Sequence, residues 1–141
     1  MKKPNLKHIL SALAFAGFLF IAFGSNDEKT TEKEIVSVEP EIEVEASTLY
    51  SDYEANGVSA DQKYKGKVLR VTGRVNNIDR DIMDIIYVTL KGDEIFGDIQ
   101  CFFAEDHVNQ AAQLSKGQQI TVKGKCEGKL MNVMLKGCVI E

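Results

Sequence analysis

The sequence is poor in the side chains on which catalysis depends. Among its 141 residues there is no Trp, and there are two His, at positions 8 and 107. His8 lies in the basic N-terminal stretch, and His107 falls in the first turn of a predicted helix, where an exposed structural role is expected. Neither has a Ser or Cys nearby in a pattern typical of a nucleophile and its base. The phosphate-binding patterns GxxxxGK[ST] and GxGxxG are absent as well. The sequence therefore predicts a protein that is not an enzyme and that carries no cofactor.

Cysteine is scarce and has no metal-binding or redox spacing. The chain has three Cys and no CxxC pair, which argues against a zinc ribbon or a dithiol redox enzyme. An odd count allows at most one disulfide, and strand alternation turns Cys101 and Cys126 inward. One bridge, from Cys138 to either Cys101 or Cys126, and three buried reduced thiols are equal alternatives. Among the bridges we favour Cys126–Cys138.

Carboxylates gather in one predicted loop, residues 79–84, but not in a calcium-binding pattern. Three Asp alternate there with Arg80 and Ile82, without the Gly and terminal Glu of an EF-type loop. We therefore expect a solvated turn, and no metal site is predicted.

The only long uncharged run is short for a bilayer span. Residues 9–24 make up 16 uncharged residues after Lys2, Lys3 and Lys7, against the roughly 20 that a spanning helix needs. A basic stretch followed by an apolar one is typical of a secretory signal or an N-terminal anchor. Small residues before Ser25 favour cleavage there, whereas the bulky run upstream favours an uncleaved anchor. No Cys follows the run, which excludes a lipobox. We predict residues 1–24 as a signal peptide or membrane anchor, with the rest of the chain in the cell envelope, outside the cytoplasm.

Negative charge is concentrated in one part of the chain. Residues 25–54 carry ten acidic and two basic side chains, whereas residues 55–141 carry 11 and 12. We predict that residues 25–46 form an acidic disordered linker, because they have too few apolar groups to offset chain entropy. The remaining domain, residues 47–141, is nearly neutral and has no strong field to attract a polyanion.

The domain begins with helical patterns and continues with strands. Apolar spacing predicts a helix over residues 47–56 with Ser47 as N-cap, then a short turn capped by Ser59. Strands are predicted over residues 67–80, 85–91, 95–104, 118–126 and 132–140, with a helix over 105–115. Gly73 and Gly124 fall where two strands are expected to bend sharply. This order predicts a mainly β fold, a five-stranded OB-fold Greek-key barrel with an N-terminal helix and a helix between strands three and four.

Several spaced motifs resemble a known family. They include Ala60-Asp-Gln-Lys-Tyr-Lys-Gly-Lys67, Val71-Thr-Gly-Arg-Val75, Gln100-Cys-Phe-Phe103, Val122-Lys-Gly-Lys-Cys126 and Leu135-Lys-Gly-Cys138. With these motifs the chain, over roughly residues 47–141, resembles the bacterial OB-fold family labelled tRNA-anticodon-binding-like. The resemblance implies an OB-fold with a helical lead-in, often placed after a signal peptide, a lipoprotein signal or a membrane segment. The family label records a likeness of fold and implies no particular ligand.

The predicted barrel surface carries the candidate ligand-binding residues. Strand alternation turns four cations and two aromatic rings outward: Arg70, Arg74, Lys123, Lys125, Tyr87 and Phe102. We expect the face of strands one to three to recognise a protein or glycan partner. The alternative is single-stranded nucleic acid, with the four cations as one basic stripe on phosphates and the two rings stacking on bases.

Overall fold

The computed structural model describes residues 35–93 and 95–141. Predictions for residues 1–34, the signal or anchor and the first ten residues of the linker, lie outside the described residues. Within those residues, no helix is long and apolar enough to cross a membrane. The elements are β1 (Ile42–Glu45), α1 (Ala46–Ala55), α2 (Gly57–Tyr64), β2 (Val68–Arg80), β3 (Ile86–Lys91), β4 (Asp98–Phe103), a 3₁₀ turn (Glu105–His107), α3 (Val108–Ala111), β5 (Gln119–Lys129) and β6 (Val133–Ile140).

Strands β2 to β6 close into a barrel. They are hydrogen-bonded in the order β2-β3-β4-β6-β5, and a further pairing of β2 with β5 completes the circle. The β4–β6 contact is parallel and the other barrel contacts are antiparallel. This is the predicted OB-fold, and the long β2 makes it possible because its first half pairs with β5 and its second half with β3.

A sixth strand lies within the segment that was predicted to be disordered. Ile42–Glu45 form β1, which runs parallel to the first half of β2. Ile42 and Val44 pack against the core, whereas Glu43 and Glu45 are exposed. The alternation of apolar and acidic residues has the two-residue period of a half-buried strand. The prediction of a disordered linker extending to residue 46 is therefore wrong for residues 42–46, because overall acidity masked this short pattern. It is also wrong for residues 35–37, which are helical and bury Ile35.

Different helices close the two ends of the barrel. At one end α1 and α2 contribute buried side chains including Leu49, Tyr50 and Tyr64. The Tyr50 ring lies so close to Gly97 that a Cβ there would be 2.3 Å from it. At the other end α3 buries Ala111. The helix predicted over 105–115 is therefore much shorter than expected. No side chain caps the start of the 3₁₀ turn or of α3, and after α3 the chain continues with short-range bonds such as Leu114 N to Ala111 O.

The helix caps also differ from the predicted ones. α1 begins at Ala46, before Ser47, without a side-chain cap. α2 is a full helix rather than a short turn, and its cap is Asn56, whose side chain accepts a hydrogen bond from Ser59 N at 3.1 Å. Asn56 therefore follows the end of α1 and caps α2. Its side-chain oxygen takes the place of the main-chain acceptor that the first turn of a helix lacks.

The two glycines predicted at strand bends are sites of close packing. Neither Gly73 nor Gly124 is among the glycines with positive φ. A Cβ at Gly73 would lie 2.8 Å from Ala46 Cβ, and a Cβ at Gly124 would lie 2.6 Å from Cys138 Sγ. At Gly124 the β5–β6 register also shifts, between Lys123 and Lys125. The absence of a side chain is therefore required by neighbouring atoms rather than by a special backbone conformation.

All three cysteines are buried free thiols, and the favoured Cys126–Cys138 bridge does not form. Cys126 pairs with Leu135 across β5 and β6, whereas Cys138 pairs with Phe103 on β4. The Cys126 thiol lies 3.6 Å from the Tyr53 hydroxyl. Burial raises the pKa of Cys126 and that of Cys138, so both thiols are protonated and pack as small apolar groups.

Candidate ligand-binding face

The two predicted aromatic residues form a pair on the outer face of the barrel. Tyr87 on β3 lies directly opposite Phe102 on β4. Their ring centroids are 5.9 Å apart and the rings are tilted by 57°. Both side chains are half-buried, so each ring presents part of its surface to solvent. Tilted rings at this distance attract each other and hold each other in place.

A row of neutral polar side chains runs beside the aromatic pair. Asn77, Thr89 and Gln100 lie opposite one another on β2, β3 and β4. Thr89 is only 5% exposed, and among the described residues its Oγ1 has no hydrogen-bond partner. This row was not predicted from the sequence. The signal was present, since Thr89 and Gln100 have the same strand parity as Tyr87 and Phe102.

Carboxylates border the aromatic pair on the side of β2. Asp79 lies directly opposite Tyr87, and one of its oxygens accepts a hydrogen bond from Arg80 N at 2.8 Å. The guanidinium of Arg80 forms an ion pair with Asp84 at 3.0 Å. Among the described residues Asp79 thus has no ion pair, whereas Arg80 is neutralised by Asp84.

The β2–β3 loop follows directly after these residues and is apolar at its tip. The Asp81 carboxylate accepts hydrogen bonds from Met83 N and Ile85 N at 2.8 and 2.9 Å, which fixes the turn. Ile82 is fully exposed, and Met83 is 75% exposed. This carboxylate shapes the loop, as expected for a solvated turn. Within residues 35–93 and 95–141 no group of three side chains is arranged to hold a metal ion.

Two of the four predicted cations are bound within the domain. Arg70 forms ion pairs with both Glu43 of β1 and Glu141 at the C-terminal end. These two carboxylates, Glu141 first, raise the pKa of Arg70. The side chain of Lys123 was predicted to face solvent but is only 9% exposed, and it lies 3.7 Å from Glu141. Its Nζ donates to Val36 O at 2.9 Å.

The other two cations are more accessible but are not next to the aromatic rings. Arg74 is exposed and donates to Gly117 O at 3.3 Å. Lys125 is half-buried opposite Lys136 and has no ion pair within the described part of the chain. Arg70 pairs with Lys123 across β2 and β5. On β2 it precedes Asp79, the neighbour of Tyr87, by nine residues, roughly 30 Å along an extended strand. The structure therefore brings the rings together and places Arg70 far from them, whereas Lys125 is separated from Phe102 on β4 by one strand, β6, which carries the exposed Lys136.

A groove separate from the aromatic pair lies where β1 leaves β2. It is an open groove of about 270 Å³ lined by Glu45, Gly73, Arg74, Asp93 and Gln119 among others. Both signs of charge line it, so it has no clear preference for an anionic or a cationic ligand.

A closed five-stranded barrel in the order β2-β3-β4-β6-β5, with a short helix between β4 and β5, defines an OB-fold protein. The chain belongs to the tRNA_anti-like family, whose model matches residues 1–139. One similar solved structure is that of a lipoprotein from Klebsiella pneumoniae subsp. pneumoniae, described as a candidate nucleic acid-binding protein. It is 18% identical, with a TM-score of 0.56 over 84% of this chain and 99% of that one, a likeness that shows a shared fold. No curated protein sequence matches the chain.

Proposed function

We propose that the protein is a non-enzymatic, envelope-associated binding module that recognises a protein or glycan partner through the outer face of β2 to β4. The observation that carries this proposal is the setting of the Tyr87–Phe102 pair. Its rings are offered to solvent beside neutral polar side chains, an unpaired carboxylate and an apolar loop. Aromatic and apolar groups of this kind supply binding energy with little cost in conformational entropy.

The charges near the rings favour an uncharged or basic partner over a polyanion. A phosphate bound beside Tyr87 would lie close to the carboxylate of Asp79, which repels it. Arg70 would have to leave two carboxylates to reach a phosphate. Lys123 is in addition buried. Neutralised or buried cations such as these two contribute little to the phosphate contacts that dominate nucleic-acid affinity.

The envelope location rests on the N-terminal sequence. Residues 1–24 have the layout of a signal peptide or a membrane anchor. The similar Klebsiella pneumoniae protein is described as a lipoprotein. In this chain no Cys follows the apolar run, so an anchor would be the segment itself rather than a lipid at that point.

Single-stranded nucleic acid is the second candidate ligand. Paired rings on the middle strands of an OB-fold can stack on bases, and the similar solved structure is described as a candidate nucleic acid-binding protein. In this case Tyr87 and Phe102 would stack on bases. Arg74 and Lys125 would contact phosphates, joined by Arg70 and Lys123 after release from their partners.

Photocrosslinking in intact cells tests the proposal. Benzoylphenylalanine at position 102 keeps an aromatic ring on the face, and the same residue at Thr121, on β5, provides the control. A C-terminal tag reports location by fractionation and by protease access in spheroplasts. We expect a membrane-bound tag outside the cytoplasm and an envelope adduct from position 102 that is absent from position 121. A cytosolic tag, or nucleic acid as the main adduct, would contradict the proposal and favour the second candidate.

A further inference from the structure

The centre of the candidate face holds a buried hydroxyl without a partner. Thr89 alternates with the inward residues Val88 and Leu90, so its side chain belongs to the outer face, yet it is 5% exposed. Its Oγ1 forms no hydrogen bond to any described residue. Buried hydroxyls almost always have a partner, because an unpaired one destabilises the fold. An exception in the middle of a candidate binding face points to a hydrogen bond made with a ligand, which reaches the enclosed Oγ1 once the Thr89 side chain rotates.

The neighbours of Thr89 extend this hydrogen-bonding capacity. The side-chain amides of Asn77 and Gln100, which flank it in register, form no hydrogen bonds within the described part of the chain. Amides and hydroxyls both donate and accept. Because neighbouring strands are about 4.8 Å apart, the three groups extend over about 10 Å across the sheet. The row therefore matches a ligand that offers several groups which are both donors and acceptors.

This chemistry distinguishes between classes of ligand. Phosphate oxygens only accept hydrogen bonds and are repelled by the nearby Asp79 carboxylate. An apolar protein surface would leave three polar side chains unpaired, which is costly. The main-chain groups of β3 are already bonded to its neighbours on both sides, so no strand can be added there. Sugar hydroxyls both donate and accept, and the apolar side of a sugar ring packs well on an aromatic ring.

We infer that the face binds a neutral carbohydrate, with Tyr87 and Phe102 as the stacking platform and Asn77, Thr89 and Gln100 as partners of the sugar hydroxyls. The Asp79 carboxylate, on the β2 side, accepts a hydrogen bond from a further sugar hydroxyl. This inference rests on the proposed function and specifies its ligand. It assigns to Thr89 a role that the free protein does not use.

The test measures binding and stability of the same variants. The full-length protein is purified in lauryldimethylamine oxide, which has no sugar headgroup. Chitotetraose, maltopentaose and cellopentaose are titrated by calorimetry. Thr89→Val keeps the shape and removes the hydroxyl. Thr121→Val is the matched control, because Thr121 is also an outward strand residue but shares its hydrogen bond with Thr72, at 2.8 Å on the β2–β5 side.

The expected result separates a ligand-binding role from a structural one. At least one oligosaccharide binds, about five- to tenfold more weakly to Thr89→Val and about tenfold or more weakly to Tyr87→Ala, with no change for Thr121→Val. Thr89→Val melts at the same temperature as the unchanged protein or higher, because a buried unpaired hydroxyl has been removed.

Two results would overturn the inference and differ in their meaning. If no oligosaccharide binds while the face yields a protein adduct in cells, the carbohydrate assignment is wrong and the proposed function stands. If the face binds oligothymidylate instead, with an affinity that collapses between low and physiological salt, both the inference and the proposed function are wrong.

Discussion

A methyl group added at Gly124 tests how tightly the barrel is closed. The new carbon would lie 2.6 Å from Cys138 Sγ, 3.2 Å from Lys136 O and 3.3 Å from Leu135 Cβ. Non-bonded heavy atoms prefer separations of about 3.5–4.0 Å, so the sulfur or the strand has to move by about 1 Å. Cys138 is fully buried, which leaves little room for that movement. We expect Gly124→Ala to destabilise the protein by about 1–3 kcal/mol, and Gly124→Val by more.

The assay follows unfolding of the full-length protein by circular dichroism, with heat and with urea. Each kcal/mol lost should lower Tm by about 4–8 °C for a domain of this size. Gly57→Ala is the matched control, because a Cβ there has no atom within 4 Å and no positive φ is involved. That substitution should leave Tm unchanged or raise it slightly, since it reduces the entropy of the unfolded chain.

A double mutant identifies the clashing atom. Cys138→Ala removes the sulfur and alone should cost about 1 kcal/mol through the small cavity it leaves. In the Gly124→Ala/Cys138→Ala protein the new methyl occupies part of that space, so the loss should be smaller than the sum of the single losses by about 1 kcal/mol or more. Additive losses, or a Gly124→Ala protein as stable as Gly57→Ala, would refute the packing argument.

Three further predictions concern the helical lead-in and the C-terminal end. Asn56→Ala removes the acceptor of Ser59 N and should cost about 1 kcal/mol in urea unfolding; an unchanged midpoint would contradict its role as a cap. Tyr64→Phe removes a 2.6 Å hydrogen bond to Asp52, which is the first cause of the lowered pKa of that carboxyl. We expect a loss of about 1 kcal/mol of stability, modest because Asp52 is partly exposed, and a higher Asp52 pKa in an NMR titration. An unshifted titration would count against the bond. Arg70 lowers the pKa of Glu141. The Arg70–Glu141 pair therefore stabilises the protein above the unfolded pKa of Glu, about 4.3, and this stabilisation is lost as pH falls below that value. Glu141→Gln should flatten the fall in Tm on acidification, and an equally steep fall would show that the pair contributes nothing.

The sequence predicted the barrel well because strands and turns carry local signals. The start of β2 was placed within one residue and its end at Arg80, as observed. Alternation along β3 and β4 was enough to turn Tyr87 and Phe102 outward. The register that makes them direct neighbours was not available, because pairing between strands is a property of the whole sheet.

What the sequence could not predict depends on contacts between distant segments. The strand at Ile42–Glu45 is stable because it pairs with β2 and buries two side chains, although its composition alone favours disorder. The burial of Lys123 depended on a hydrogen bond to Val36 O, which is 87 residues away in the sequence. The pairing of the thiols similarly depended on register, since Cys126 lies opposite Leu135 and not opposite Cys138 although β5 and β6 are neighbours. Thr89 could be assigned to the outer face by alternation, but its missing partner appears only when its neighbours are in place.

The placement of Arg70 connects the charge pattern with the choice of ligand. This one guanidinium binds Glu43 of β1 and Glu141, which follows β6, so it joins two chain termini of the domain to β2. A phosphate bound at Arg70 would therefore compete with the docking of β1, and its affinity would be reduced by the free energy of those two ion pairs. A ligand bound at Tyr87 and Thr89, as proposed, would meet no such competition, since its contacts would use groups that the fold leaves unpaired. The positive charge of Arg70, which favoured nucleic acid in the sequence, thus stabilises the barrel.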